Sequence, residues 1–320
     1  MANNRHEPIR PQKDKGFALI AVIWIGVLLA LIAAAFSSAV RSRIRSTAGE
    51  TETVRAEALA DAGIRIALLE RLNVTFADSG APRFPADGST VMCAIGTDAT
   101  LAVQVEDEDG KVNLNTLNAD LLLALFAGLG ATRSEARSYT DAIMDFRDED
   151  DERRPDGAES ADYARAAGAA PTAKNALFVS VDELDQVLGL PPELRDRAKR
   201  FLTVLSTQDG LDPAVAPSGL KTLLIRGSNG IVATDENRGD TSAVFIGSDL
   251  PPGFVSASRQ RAYTIRSEAV LQSGARYVSD AVVAMPDGPA GVPIYQRWRR
   301  GVSAMKAGQP IPAPQTLPPC

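Results

Sequence analysis

The residues best equipped for chemistry lie between Asp145 and Asp162. Nine carboxylates fall within those eighteen residues: Asp145, Asp148, Glu149, Asp150, Asp151, Glu152, Asp156, Glu159 and Asp162. Such a run reads either as a solvated acidic loop or as a site for a hard cation. Calcium takes roughly six to eight oxygens from clustered carboxylates and carbonyls. The alternation Asp148/Asp150 and the turn Asp156-Gly157 suit a loop that wraps an ion. The offsets are not those of an EF-hand, whose central Gly and terminal Glu are missing.

Other chemistries are excluded by residue type. The single histidine, His6, precedes the first apolar run, so a chain without its leader carries no imidazole for a catalytic triad, a Cys-His pair or a zinc site. Two cysteines, Cys93 and Cys320, make neither a zinc knuckle nor a disulfide framework. One Cys93–Cys320 bridge stays open as an option in an oxidising compartment, although Cys320 ends a proline-rich tail. Paired carboxylates also serve glycosidases, but aromatics are only 5% of the chain, too few to build a sugar platform. The stretch Leu184–Leu205 has the look of a helix-hairpin-helix unit that touches DNA backbones. Residues 141–200 hold 15 Asp/Glu against 9 Lys/Arg, so phosphate is repelled there. The whole chain, at net charge −6, repeats that argument. No enzyme is expected.

The elements that must position these residues begin with a 25-residue uncharged run, Gly16–Val40. As a helix it extends about 37 Å, enough to cross a hydrocarbon layer of about 30 Å. Arg5, Arg10, Lys13 and Lys15 make the leader net positive and favour its retention on the cytoplasmic side, while Arg41, Arg43 and Arg45 compete for it. A cleaved secretory signal ending near Ala33-Ala34-Ala35 and a plain signal anchor are the competing readings. Trp24, inside the run, is a lipid- or helix-packing residue. The helix continues to about Leu72. Val54, Ala58, Ala62, Ile66 and Leu69 recur on one face, as a contact for partner helices or for burial against the protein's own sheet.

Beyond it, Asn73–Ser89 reads as a loop. Val91–Ile95 and Leu101–Val105 read as strands, and Asp109-Gly110 as a hairpin turn into a strand Lys111–Leu114. Asn118 caps a helix Ala119–Ala127 closed by Gly128, followed by a helix Ser134–Phe146. The acidic loop runs to about Asn175. Ser180 with Glu183 opens a helix Val181–Val187, and Pro191-Pro192 another, Glu193–Phe201. Residues 206–256 look loop-heavy. Ala262–Gln272 and Arg276–Met285 form a hairpin, with Trp298 and Tyr295 as core residues of a further strand Pro293–Arg299. The tail from Gln309, with five prolines in twelve residues, reads as disordered. The expected architecture is α+β: a leader over 1–16, a membrane and amphipathic helix over 17–72, and a sheet domain over 73–117 and 206–300. An all-helical insert over 118–205 and a tail over 301–320 complete it.

Lys15-Gly16-Phe17-Ala18-Leu19-Ile20, followed by an unbroken apolar helix, resembles the class III signal of type IV pilins and pseudopilins. The stretches VEDEDGKVNLNTLN, IMDFRDEDD, DGAESADY, VDELDQVLG and YTIRSEAVLQSGA resemble the K-type minor pseudopilins of type II secretion, over roughly residues 12–300. The resemblance implies cleavage by the prepilin peptidase between Gly16 and Phe17, and methylation of the new terminus. It implies a pseudopilin-like α+β domain with an antiparallel sheet, interrupted by a helical domain. Most relatives carry a glutamate at the fifth mature position, where this chain has Ala21, which suits a subunit with nothing above it at the fibre tip. The implied partners are the I- and J-type minor pseudopilins, the peptidase and the inner-membrane secretion platform. The implied location is the inner membrane, single-pass, with the C-terminal domain in the periplasm. The family is known for calcium in the acidic region. The candidate ligands here are Asp148, Asp150, Asp156 and Glu159, followed by Asp162 and Asn175. A single-span anchored periplasmic binding protein and a type IV minor pilin are the alternatives.

Overall fold

The computed structural model describes residues 17–77, 82–167, 172–232, 249–286, 288, 291–303 and 312–320. It divides into two compact units at Arg55/Ala56. Gly16, on one side of the expected cleavage point, lies outside the described residues.

The first unit is the leading part of helix α1 (Phe17–Ala77). Its stretch Ile20–Ser38 is long and apolar enough to cross a membrane, and none of it is buried within the protein. Trp24, Phe36 and Leu31 all face outward. Ala21 is partly covered.

In the second unit the remainder of α1 lies on a five-stranded antiparallel sheet. Its strands are β1 (Val91–Ile95), β2 (Ala99–Asp107), β5 (Ala262–Leu271), β6 (Arg276–Ala284) and β7 (Ile294–Arg300), in the order β1-β2-β5-β6-β7. Ala60, Ile64, Ala67 and Leu68 of the helix share one core with Leu101, Val103, Val105, Ile265, Ala281 and Val283. Small helix residues let the backbone approach closely. At Gly63 a Cβ would stand 2.1 Å from Ser267 Oγ. The face buried most deeply on the sheet is offset from the expected stripe, of which Ile66 packs against the same core. Ala58 and Leu69 are exposed, Ala62 and Ile66 are half-covered, and Val54, in the first unit, is exposed.

Between β2 and β5 the chain builds a second unit of packing with its own core. This comprises β3 (Val112–Asn113), α2 (Ala119–Gly128), α3 (Arg133–Arg147), α4 (Ser160–Ala167), α5 (Pro192–Lys199), β4 (Leu202–Thr203) and α6 (Leu220–Val232). Leu121, Leu125, Phe126, Ile143, Phe146, Tyr163, Leu184 and Leu224 lie at its centre. Asn118 caps α2, and Thr132 with Glu135 forms a full capping box on α3, each satisfying first-turn amides that have no intrahelical acceptor.

Several expectations are corrected here. Asp109-Gly110 is not a hairpin turn. Glu108–Gly110 is a single 3-10 turn, and β3 pairs in parallel with β4 instead of folding back on β2. The carboxylates of this segment take up donors from distant strands and loops and so turn the chain out of the sheet. The acidic loop contains a helix, α4. Val181–Gln186 is a 3-10 helix. Gly128 is the last residue of α2, and it is Gly130 that takes the left-handed conformation (φ 103°). The loop-heavy region contains α6, whose Gly227 would place a Cβ 1.9 Å from the carbonyl of Ala124 in α2. A glycine disfavoured in an isolated helix is required at that crossing. Leu220, Leu224, Leu250 and Phe254 join the helical core, which therefore extends past residue 205. Tyr295 and Trp298 pack on each other, yet both are exposed rather than core.

The tail is also placed. Cys93 and Cys320 are joined in a disulfide across 227 residues. Ala94 N donates to Pro318 O (2.8 Å), and Cys320 N donates to Ala94 O (2.9 Å). Residues 312–320 thus lie along the outer edge of β1. A covalent tie overrides what a proline-rich composition favours for a free chain end.

Candidate metal centre

Three elements bring the carboxylates together. Asp148 is the C-cap of α3, its N–H bonded to Met144 O (3.1 Å). Glu159 stands just before α4, whose Asp162 and Tyr163 amides donate to Glu159 O (2.7 and 3.1 Å). Asp150 lies on the loop between them. Ligand oxygens of Asp148, Asp150 and Glu159 lie within 4.8 Å of one another. Glu159 is 97% buried, at 3% relative exposure.

The hydrogen-bond accounting distinguishes this group from a merely acidic surface. Both carboxylate oxygens of Glu159, Asp148 Oδ1 and the amide oxygen of Asn175 are buried with no hydrogen-bond partner within 3.5 Å among the described residues. Buried polar atoms are almost always paired, and an orphaned carboxylate costs far more than a paired one. All four orphans are acceptors, the donor set that a hard cation takes. Asn175 is fixed in place on its other side. Its N–H donates to Phe146 O (3.0 Å), and its Nδ2 donates to Asp151 Oδ1 (3.1 Å). Its φ of 50° lies in the left-handed region, which asparagine tolerates better than most residues.

The electrostatics agree. Burial, reinforced by the charges of Asp145 and Asp148, pushes the Glu159 carboxyl up to about 7. Burial pushes Asp145 up to about 6, with Asp148 adding to it and Arg154 opposing. Asp148 is raised by burial and by Asp150. These are acids crowded without enough positive charge, with Arg154 the principal counterion at 3.3 Å from Asp145 and 3.9 Å from Asp148.

Two of the six candidates serve other ends. Asp162 spends Oδ2 on the Glu159 N–H (3.1 Å) and Oδ1 on Arg165 (2.8 Å), so it caps α4 and orients Glu159. Asp156 is exposed and outside the three-carboxylate group, its N–H tied to Asp141 (3.3 Å) and its carbonyl accepting from Ser138 (2.9 Å). Asp145, buried behind the group, was not singled out by its spacing. Its signal was its position one turn before Asp148 on the apolar face of α3.

The fold is a helix on an antiparallel sheet, with a helical domain let into the connection between β2 and β5. Residues 102–207 match the family model "Type II secretion system (T2SS), protein K". The fold matches a chain in the crystal structure of the GspK-GspI-GspJ complex from the type 2 secretion system of enterotoxigenic Escherichia coli. The two are 16% identical over 82% of this chain and 100% of that one, with a TM-score of 0.56. No curated protein matches the sequence. Residues 102–207 are thus similar to the type II secretion protein K family, within a fold shared with the matched chain.

Proposed function

We propose that this subunit occupies the tip of the pseudopilus, primes its assembly with I- and J-type minor pseudopilins, and so supports export across the outer membrane. The observation that carries the reading is the second face of α1. Ala58, Ala62, Ile66 and Leu69 stay wholly or partly uncovered, while a different set of small residues packs on the sheet. A helix with one face satisfied and another apolar face left partly uncovered is suited to packing beside other helices. Ala21 supports the terminal position, because it offers no carboxylate to neutralise the amine of a subunit above. The bulk of the helical insert supports it too. In the matched structure the corresponding chain is assembled with two others, and we take that assembly as the pattern here.

The same reading has the prepilin peptidase cut between Gly16 and Phe17, and the secretion platform receive the processed chain. The uncharged helix then holds it in the inner membrane with residues after it in the periplasm. It also assigns calcium to Asp148, Asp150, Glu159 and Asn175, with Asp162 as an orienting residue. The ion's charge would relieve the crowding of these acids and fix the loop between α3 and α4.

The test is the mass of the chain recovered from membranes of cells with an active prepilin peptidase, together with its co-purification with I- and J-type subunits. A methylated Phe17 terminus and a three-subunit complex are expected. An intact Met1 leader, or a start near Phe36, would remove the fibre reading. Replacing Ala58 and Leu69, both exposed, by Glu should abolish co-purification without loss of the monomer.

A further inference from the structure

The sheet has two edges, and they are treated differently. The β1 edge is closed by residues 318–320 and a disulfide. The β7 edge pairs with no described strand on its outer side, and all seven of its residues are exposed. An open edge is a template for another strand, and β7 offers one with a single register shift, between Tyr295 and Arg297.

The same strand lines a cleft of about 600 Å³ between the sheet and the insert. Positive charge dominates the cleft's unbalanced groups. Lys111 is neutralised by Glu106 (2.7 Å) and Glu108 (2.9 Å). Asp280, 2% exposed at the cleft floor, holds Arg266 at 3.0 Å and Arg299 at 3.9 Å, one carboxylate fixing two guanidinium groups. Arg297 and Arg200 also line the cleft, and neither has a carboxylate partner among the described residues. A basic wall in a chain of net charge −6 is a local reversal. On the opposite face of β7, Trp298 packs against Tyr295 with ring centroids 4.9 Å apart and lies under Arg65 of α1. Exposed aromatics of this kind anchor partners.

We propose that β7 takes up an extended segment of another polypeptide as a sixth strand of the sheet, a segment whose carboxylates alternate with apolar residues. Main-chain hydrogen bonds along β7 supply affinity. Strand alternation sends every second side chain into the cleft, where carboxylates meet Arg297, Arg299 and Arg200, and sends the others onto Trp298 and Tyr295. A free polyanion would satisfy the arginines but would leave the strand edge and the aromatic pair unused.

The probe is a fluorescein-labelled peptide, Ser-Glu-Val-Glu-Val-Glu-Val-Glu-Ser, titrated against the full chain in zwitterionic detergent. Its controls carry Lys for Glu, or Pro for Val at equal charge. The alternating acidic peptide should bind at least about tenfold more tightly than either control. Amides of β7 should gain hydrogen-exchange protection in the wild type. Arg297→Glu with Arg299→Glu should weaken binding at least about tenfold, and Lys221→Glu, away from the cleft, should not. Circular dichroism and melting establish that the variants fold. Four results would overturn the proposal: equal binding of the Pro peptide, which means loose attraction to any polyanion; unchanged affinity in the double variant; protection away from β7; or no binding at millimolar peptide.

Discussion

Glu106–Asp109 and Asp148–Glu159 are both carboxylate-dense and both sit where the chain changes direction, the first largely buried and the second exposed except around Glu159. In the first, every acid is answered. Glu108 accepts from Lys111 (2.9 Å), Thr264 (2.6 Å) and Thr203. Asp109 accepts from Ser206 (2.6 Å) and the Arg259 N–H (2.8 Å). Asp107 accepts from Ser258 (2.7 Å) and the Asp109 N–H (3.0 Å). In the second, among the described residues, Glu159 has no hydrogen-bond donor within 3.5 Å of its carboxylate, and Asp148 and Asn175 each keep an orphaned oxygen. The first set is a joint that ties the insert to the sheet with the chain's own donors. The second leaves acceptors that those donors do not answer. Acidic density is common to both, so it is donor accounting that separates a structural cluster from a candidate ion site.

The comparison is broken most severely at Lys111. Its ammonium is fully enclosed, and Glu106 and Glu108 hold it well above the usual lysine range despite burial. Lys111→Met should leave two carboxylates facing each other without a cation and lower stability by about 3–5 kcal/mol. Thermal melting of the chain in detergent, with and without calcium, measures this. The deficit should be the same in both, because the joint does not take the ion. Adding Glu108→Gln should recover part of it. A loss under about 1 kcal/mol would show that the joint does not depend on this ion pair.

The second comparison is calcium itself. Saturation at about one hundred times the dissociation constant adds about 2.7 kcal/mol to the folded state, several degrees of melting temperature in a chain of this size. Glu159→Gln and Asp148→Asn should each raise the melting temperature of the calcium-free protein, by removing an uncompensated acid, and should each abolish the calcium shift. Asp156→Asn should leave the shift intact. Magnesium, which demands a tighter octahedron, should give a smaller shift. If the wild type melts at the same temperature in millimolar calcium and in chelator, the centre is a solvated acidic loop.

How much of this was legible in the sequence follows from the range over which each feature is determined. The uncharged helix, the β5–β6 hairpin and the caps of α2 and α3 are written in neighbouring residues, and the sequence pattern marks them. Helix α6 is not, because Gly227, Ser228 and Gly230 lower its intrinsic propensity and its stability comes from close packing on α2. The β3–β4 pair joins residues 112–113 to 202–203, which no local pattern reveals. The disulfide spans nearly the whole chain and pulled an apparently disordered tail into place. In the acidic run, composition pointed to the region and to Asp148, Asp150 and Glu159. Only the fold shows that Asp162 caps a helix and that Asp156 stays outside. The apolar stripe on α1 was legible as a helical face, but which face meets the sheet depended on where Gly63 and Ala60 allow close approach.

The smallest effect separates the clusters by their response to protons. Burial pushes Asp107 up to about 6, against the bonds from Ser258 and the Asp109 N–H. The folded protein therefore holds this proton between about pH 4 and 6, where the unfolded chain has released it. The associated stability is fully present below the ordinary carboxylate value and is lost as the pH rises through 6. Glu108 runs the other way. It is buried too, but Lys111 and the hydroxyls of Thr203 and Thr264 hold it below its ordinary value, so its contribution fades as the pH falls. In the wild type the two partly cancel. Asp107→Asn removes only the first, at a fixed cost of one acceptor. Melting in chelator from pH 4 to 6.5 should show the variant gaining on the wild type as the pH rises, by on the order of 1 kcal/mol across the range. A difference that stays constant would mean that Asp107 ionises as easily in the joint as in the unfolded chain. The joint would then be as indifferent to its own burial as a surface loop.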